Sequence, residues 1–271
     1  RFRHCHPGFT AVANGCARSR RRARHGNYDP LVAAPEISTL PGGVRVVSER
    51  LPGVRSVALG YWIGVGSRHE KPERAGVSHF IEHLLFKGSS RYDALEIAEL
   101  FDAMGGELNA ATSRDSTVLY TRVPDSHVAK ALDAMSDMVV APAFADVDGE
   151  REVVLEEIAM VDDTPQDLVH DLAAEAVFGP HPLGRPVIGT AEVIASVTPR
   201  ALRSFHASAY AGGNVVLAAA GNVRHETLVG LVEKWLPRRS LAAKVVEPGE
   251  EPQPLRPLGG EHEPLLFRRA K

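Results

Sequence analysis

The run His79-Phe80-Ile81-Glu82-His83 sets two imidazoles four residues apart, one turn of a helix, so both rings can converge on a single ion. Glu82 lies between them on nearly the same side. Neutral imidazoles are good zinc ligands, and a carboxylate beside a zinc-bound water can take its proton and activate it for attack on a carbonyl. The competing reading is a pair of helix-surface histidines with a solvated glutamate. A catalytic zinc usually takes three protein ligands and keeps a position open for water, which predicts a third donor elsewhere in the chain. Residues 150–161 offer one. Val153, Val154, Glu157, Ile158 and Val161 share a helical stripe, so Glu157 is expected among apolar neighbours, where a carboxylate is costly unless a cation meets it. Glu150, seven residues earlier on that face, could orient a ligand from behind, while Glu152 and Glu156 are expected in solvent. Pairing of Glu150 or Glu157 with an arginine is the alternative.

These side chains need a helix at residues 76–85 and another over 146–161. Before the first, residues 44–50 and 57–63 read as two strands of a hairpin turned by Leu51-Pro52-Gly53. After it come a helix over 94–104, stopped by Gly105-Gly106, and strands at Glu107–Thr112 and 117–123 across a polar turn. The period is then helical at Val128–Val140, 146–161, 166–177 and Pro199–Ala209, with a Gly/Pro-rich loop at 179–189. A strand over 214–220 and a helix at His225–Trp235 follow. Hairpins with helices grouped between them argue for an α+β fold, a mostly antiparallel sheet flanked by helices. The expected domain is 36–240, with 241–271 a Pro-rich linker toward a missing second half.

The chain has 271 residues, 44% hydrophobic and 24% charged, which excludes a disordered or fibrous protein. No apolar run approaches the length of a membrane-spanning helix, so no membrane span is expected. Cys5 and Cys16 are the only cysteines, which excludes a disulfide scaffold and suits a reducing compartment. Residues 1–28 hold seven arginines and no acid, against a net charge of −3 for the whole chain. Residues 1–35 thus read as a disordered basic arm, a transit peptide or an artefact. No secretory signal is recognisable, which favours the cytoplasm, and the arm leaves mitochondria as the alternative. Nucleic-acid binding would rest on that charge alone and is not expected.

The HxxEH order, inverse to HExxH, is the inverzincin signature. With the Glu150–Glu157 spacing it resembles the pitrilysin/insulinase peptidases, which include the mitochondrial processing peptidase. Residues 64–70, 76–88, 105–110, 181–184 and 210–221 are similar to that family as well, whereas Ser89-Ser90 stands where it more often shows Gly-Thr. The resemblance implies that His79, His83 and Glu157 bind one zinc ion, that Glu82 is the general base, and that Glu150 supports the site. It also implies that Glu107–Thr112, with Asn109 and Ala110, is an edge strand along which an extended peptide is laid. The implied activity is a zinc-dependent endopeptidase acting on peptides or unfolded protein segments. The alternative is a non-catalytic structural or assembly subunit, although such relatives tend to lose the His79, Glu82, His83 and Glu157 set. Family members close two related halves, the second contributing an Arg and a Tyr for substrate and oxyanion. This chain resembles the N-terminal catalytic half, so a second homologous half, in one longer chain or as a separate subunit, is the implied partner. Arg256, Arg268 and Arg269 cannot be assigned that task.

Overall fold

A computed structural model describes residues 34–235. The basic arm, both cysteines, the three tail arginines and the expected linker lie outside the described residues. Six strands, β1 (Glu36–Thr39), β2 (Arg45–Arg50), β3 (Ser56–Ile63), β4 (Glu107–Thr112), β5 (Thr117–Pro124) and β6 (Val215–Gly221), form one sheet in the order β1-β2-β6-β3-β5-β4. Only the β2–β6 pair is parallel; the other four pairings are antiparallel. The expected α+β class with a mostly antiparallel sheet is therefore what the chain adopts.

Strand pairing corrects one expectation. β2 and β3 are not a hairpin, because β6 lies between them, with Leu59 opposite Ala219 and Val46 opposite Leu217. The hairpin is instead β1–β2, which turns through Gly42 and Gly43, both at positive φ. A Leu-Pro-Gly turn reverses the chain whether the next strand pairs at once or one position further on, and the partner that intervenes is some 160 residues away in sequence.

One face of the sheet is the core wall. Val57, Leu59, Tyr61 and Ile63 of β3 alternate inward with Leu119 and Val123 of β5 and Val215 and Leu217 of β6, all at most 2% exposed. Helices α1 (Val77–Leu85), α3 (Val128–Val140) and α8 (His225–Trp235) pack on this side, α1 against β4 and β5, α3 against β5 and α8 against β2. Helices α2 (Ala94–Ala103), α4 (Val147–Asp163), α5 (Pro165–Phe178), α6 (Ala191–Ser196) and α7 (Pro199–Ala209) complete the order, α6 being a turn and a half that periodicity did not reveal. Among the described residues no helix is long and apolar enough to cross a membrane.

Two elements decide the site. Helix α1 buries Val77, Phe80, Ile81, Leu84 and Leu85, an i, i+3, i+4, i+7, i+8 stripe. Nine residues are too few for a helix to persist alone in water, so this stripe holds it, each large apolar side chain contributing about 1.5–3 kcal/mol. The second is β4, one of the two edge strands among the described residues, whose alternation leaves Glu107, Asn109 and Ala111 exposed and turns Leu108, Ala110 and Thr112 toward the helices.

Candidate metal centre

Because α1 spends its apolar stripe on the core, His79, Glu82 and His83 project from the opposite side, toward α4 and β4. Helix α4 is registered against α1 by Arg151, whose guanidinium sits 5.6 Å from the centre of the Phe80 ring and donates to the Ile194 carbonyl. That register brings Glu157 opposite the two histidines. Glu157 Oε2 lies 3.6 Å from His79 Nε2 and 3.5 Å from His83 Nε2, and one donor atom from each of the three side chains lies within 4.8 Å of the others. This is the only such group of His, Cys, Asp or Glu found among the described residues.

The donor chemistry fits zinc. Ligands about 2.0–2.2 Å from a tetrahedral ion stand about 3.3–3.6 Å apart, the spacing at which the carboxylate oxygen meets each ring. Both imidazoles must offer a lone pair. Burial, reinforced by the neighbouring His83, pushes His79 down to about 4, so its ring is neutral at physiological pH. His83 Nδ1 is 2.8 Å from Glu150 Oε1, which places the proton on Nδ1 and the lone pair on Nε2, the atom facing Glu157. The two rings meet edge to face, 4.6 Å between centres and 67° apart.

The two glutamates of α4 differ in a way the stripe argument did not anticipate. Glu157 is partly exposed, and of its expected apolar neighbours only Val154 and Ile158 are buried, Val153 being 46% exposed. Glu150 is the buried one, at 4%. The apolar stripe predicts cover across its full width, whereas α4 is covered along a narrow line of Glu150, Val154 and Ile158. Burial works to raise Glu150, but Lys87 on one oxygen and His83 on the other outweigh it and hold the carboxyl below its usual range. Glu152 and Glu156 are exposed.

Glu82 is half-buried and accepts a hydrogen bond at Oε2 from the Thr112 hydroxyl at the end of β4, which leaves Oε1 free of that contact. Burial pushes its carboxyl up, opposed by Thr112 and His83 and assisted by Glu157. Tyr210, buried just beyond α7 with an unpartnered hydroxyl, is itself pushed up by burial and then by the charge of Glu82. Thr112, Lys87 and Tyr210 had no role in the sequence reading. Lys87 follows His83 by four residues, an interval that could have flagged it; Thr112 and Tyr210 lie at the ends of stretches the sequence marks, Glu107–Thr112 and 210–221, but no local pattern gives either side chain a role. Ala110 shares the helix-facing side of β4 with Thr112, whereas Asn109 points to the other face.

Residues 45–191 match the family model described as Insulinase (Peptidase family M16), and residues 196–263 match the one described as Peptidase M16 inactive domain. A protein described as an uncharacterized zinc protease of Mycobacterium leprae is 48% identical over 213 residues, 78% of this chain and 48% of that protein. A probable mitochondrial-processing peptidase subunit beta of Arabidopsis thaliana is 36% identical over 218 residues, 79% of this chain and 41% of that one. The first half of the periplasmic protease PqqL from Escherichia coli superposes with a TM-score of 0.71 at 26% identity, over 79% of this chain and 47% of that structure. The chain spans about half the length of the curated relatives it matches. With more than half its residues inside the first of those models, the chain belongs to the insulinase family of peptidases, M16.

Proposed function

We propose that this chain is the zinc-binding, catalytic half of an endopeptidase that hydrolyses peptides or unfolded protein segments. The observation that carries the reading is the convergence of His79, His83 and Glu157 within 4.8 Å, beside a Glu82 carboxylate already held by Thr112. His79 Nε2, His83 Nε2 and Glu157 Oε2 would hold one zinc ion, and Glu150 would keep His83 in the required tautomer. Bound there, zinc supplies Lewis acidity that polarises a peptide carbonyl and lowers the pKa of water. Glu82 acts as the base: Oε1 takes a proton from the water whose oxygen attacks the carbonyl carbon. The same proton then passes to the amide nitrogen as the C–N bond breaks, giving an amine and a carboxylic acid whose remaining proton moves to the amine, so that carboxylate and ammonium leave. β4, as an edge strand among the described residues, offers backbone groups to an extended substrate, with Ala110 beside the catalytic face. The domain would comprise residues 36–240, and its partner would be the second half of an M16 protein, in the same chain or another.

The deciding experiment is zinc per chain by elemental analysis of the purified protein, with His83→Ala in parallel. One zinc in the parent and none in the variant is the expected result. A folded parent that takes up no added zinc would favour the second reading, a non-catalytic subunit, which the match to an inactive-domain model over residues 196–263 keeps in view.

A further inference from the structure

Ahead of α1 lies a buried carboxylate that the peptidase chemistry does not use. Glu70 is 4% exposed and accepts two backbone hydrogen bonds, from Gly76 N–H to Oε2 at 2.7 Å and from Ser78 N–H to Oε1 at 2.6 Å. These amides belong to the N-terminus of α1, where Gly76 has no side chain to cap the helix. The carboxylate therefore supplies the missing cap from outside, at the positive end of the helix dipole, and Ser78 immediately precedes His79. Arg185 closes the arrangement. Its guanidinium donates to the Glu70 carbonyl at 2.6 Å and reaches the Ser67 carbonyl at 3.4 Å. Behind it the loop lies against the helix start with no room between: a Cβ on Gly76 would stand 2.4 Å from the Ile188 carbonyl oxygen.

We propose that Glu70, clamped by Arg185, is a positioning residue that fixes the first turn of α1, and through it the placing of His79 and His83 for metal. The proposal rests on the zinc-peptidase reading, and it assigns a task to residues outside the ligand and base set. The requirement is geometric. α1 is nine residues long and carries both histidines, so a shift or fraying of its first turn moves His79 relative to Glu157 on another helix.

The test is Glu70→Gln in the full 271-residue chain. Glutamine keeps one acceptor and turns an NH2 toward the second backbone N–H, donor against donor, with the charge removed. Two quantities are read: zinc Kd by competition with a chelator, and amide hydrogen exchange of α1 in metal-free protein. We expect zinc binding weakened about 10-fold to 100-fold, the range known for residues supporting metal ligands, with faster exchange confined to α1 and partial rescue by Glu70→Asp. Tyr61→Phe is the control, since it deletes a buried 2.7 Å hydrogen bond to Ser136 in the core and should lower Tm without moving zinc Kd. An unchanged zinc Kd, or a shift no greater than the control's, overturns the proposal. Should Glu70→Gln not fold, Arg185→Lys reads the same quantities with the carboxylate intact and the fork lost. If the parent binds no zinc, the peptidase reading fails on its own, and α1 exchange still judges the clamp: faster exchange in the variant supports it and unchanged exchange overturns it.

Discussion

Five acidic or imidazole groups, His79, Glu82 and His83 of α1 and Glu150 and Glu157 of α4, meet on facing helices, and what each can do follows from what it touches. Glu150 is buried and paired on both oxygens, so it suits holding His83 and leaves little capacity for a metal. Glu157 is partly exposed and faces two imidazole nitrogens, so it suits ligation. Glu82 is held at Oε2 by the Thr112 hydroxyl, which fixes the carboxylate for service as a proton acceptor. Replacing Glu82 by Gln should therefore keep one zinc per chain while lowering peptide hydrolysis by about 10²–10⁴-fold, the usual contribution of a general base. Loss of zinc in that variant would show Glu82 to be a ligand instead. Glu157→Gln should do the reverse, weakening zinc binding while leaving Tm nearly unchanged, because a partly exposed side chain carries little of the fold. Full zinc affinity in Glu157→Gln would transfer the ligand role to another carboxylate.

The elements carrying these residues were largely legible. α3, α7, α8 and β4 have the limits that periodicity and turn residues assign, and α1 starts one residue later, because apolar spacing, Pro and Gly act locally. Neighbours distant in sequence were not legible. β6 enters between β2 and β3 by pairing across more than 150 residues, and the exposure of Glu157 depends on which elements cover α4. The histidine pair of the candidate site was legible because i, i+4 spacing is a local signal, whereas Thr112 reaches Glu82 only through tertiary packing. His206 of α7 is a second long-range case. Its Nε2 donates to the Val139 carbonyl at the end of α3 at 2.9 Å, and its ring packs on Phe144 and Tyr210. Burial pushes this imidazole down to about 4, with the Val139 bond working against it. The unfolded chain, with an ordinary histidine near 6.5, binds the proton first as pH falls, so stability is fully present above about 6.5 and is lost progressively toward 4. The loss amounts to about 3 kcal/mol by pH 4. Gln at position 206 can still donate to Val139 but does not titrate. Urea unfolding at pH 7 and pH 4.5 should show a smaller acid loss for His206→Gln than for the parent, and equal losses would place the acid-sensitive group elsewhere.

At the scale of the whole molecule, the described residues leave His83 and Glu157 of the candidate site partly exposed. Val153 and Met160 stand one turn either side of Glu157 on α4, at 46% and 67% exposure, so apolar surface borders that carboxylate instead of sealing it. Zinc binding, on the proposed reading, draws only on α1 and α4, and the structure describes both in full. Stabilising a developing oxyanion needs donors aimed at the attacked carbonyl, and the resemblance to M16 peptidases assigns those to a second half. This chain aligns with about half of its relatives' length, and its match to PqqL is to that protein's first half. Metal binding and turnover should therefore separate. Loss of one oxyanion donor costs about 10²–10³-fold in rate, so at equal zinc occupancy the 271-residue chain should cleave a quenched-fluorescent peptide at least about 100-fold more slowly than the full-length Mycobacterium leprae relative. A comparable rate would mean that groups within this chain, with Tyr210 and its unpartnered hydroxyl the first to examine, meet the oxyanion without help.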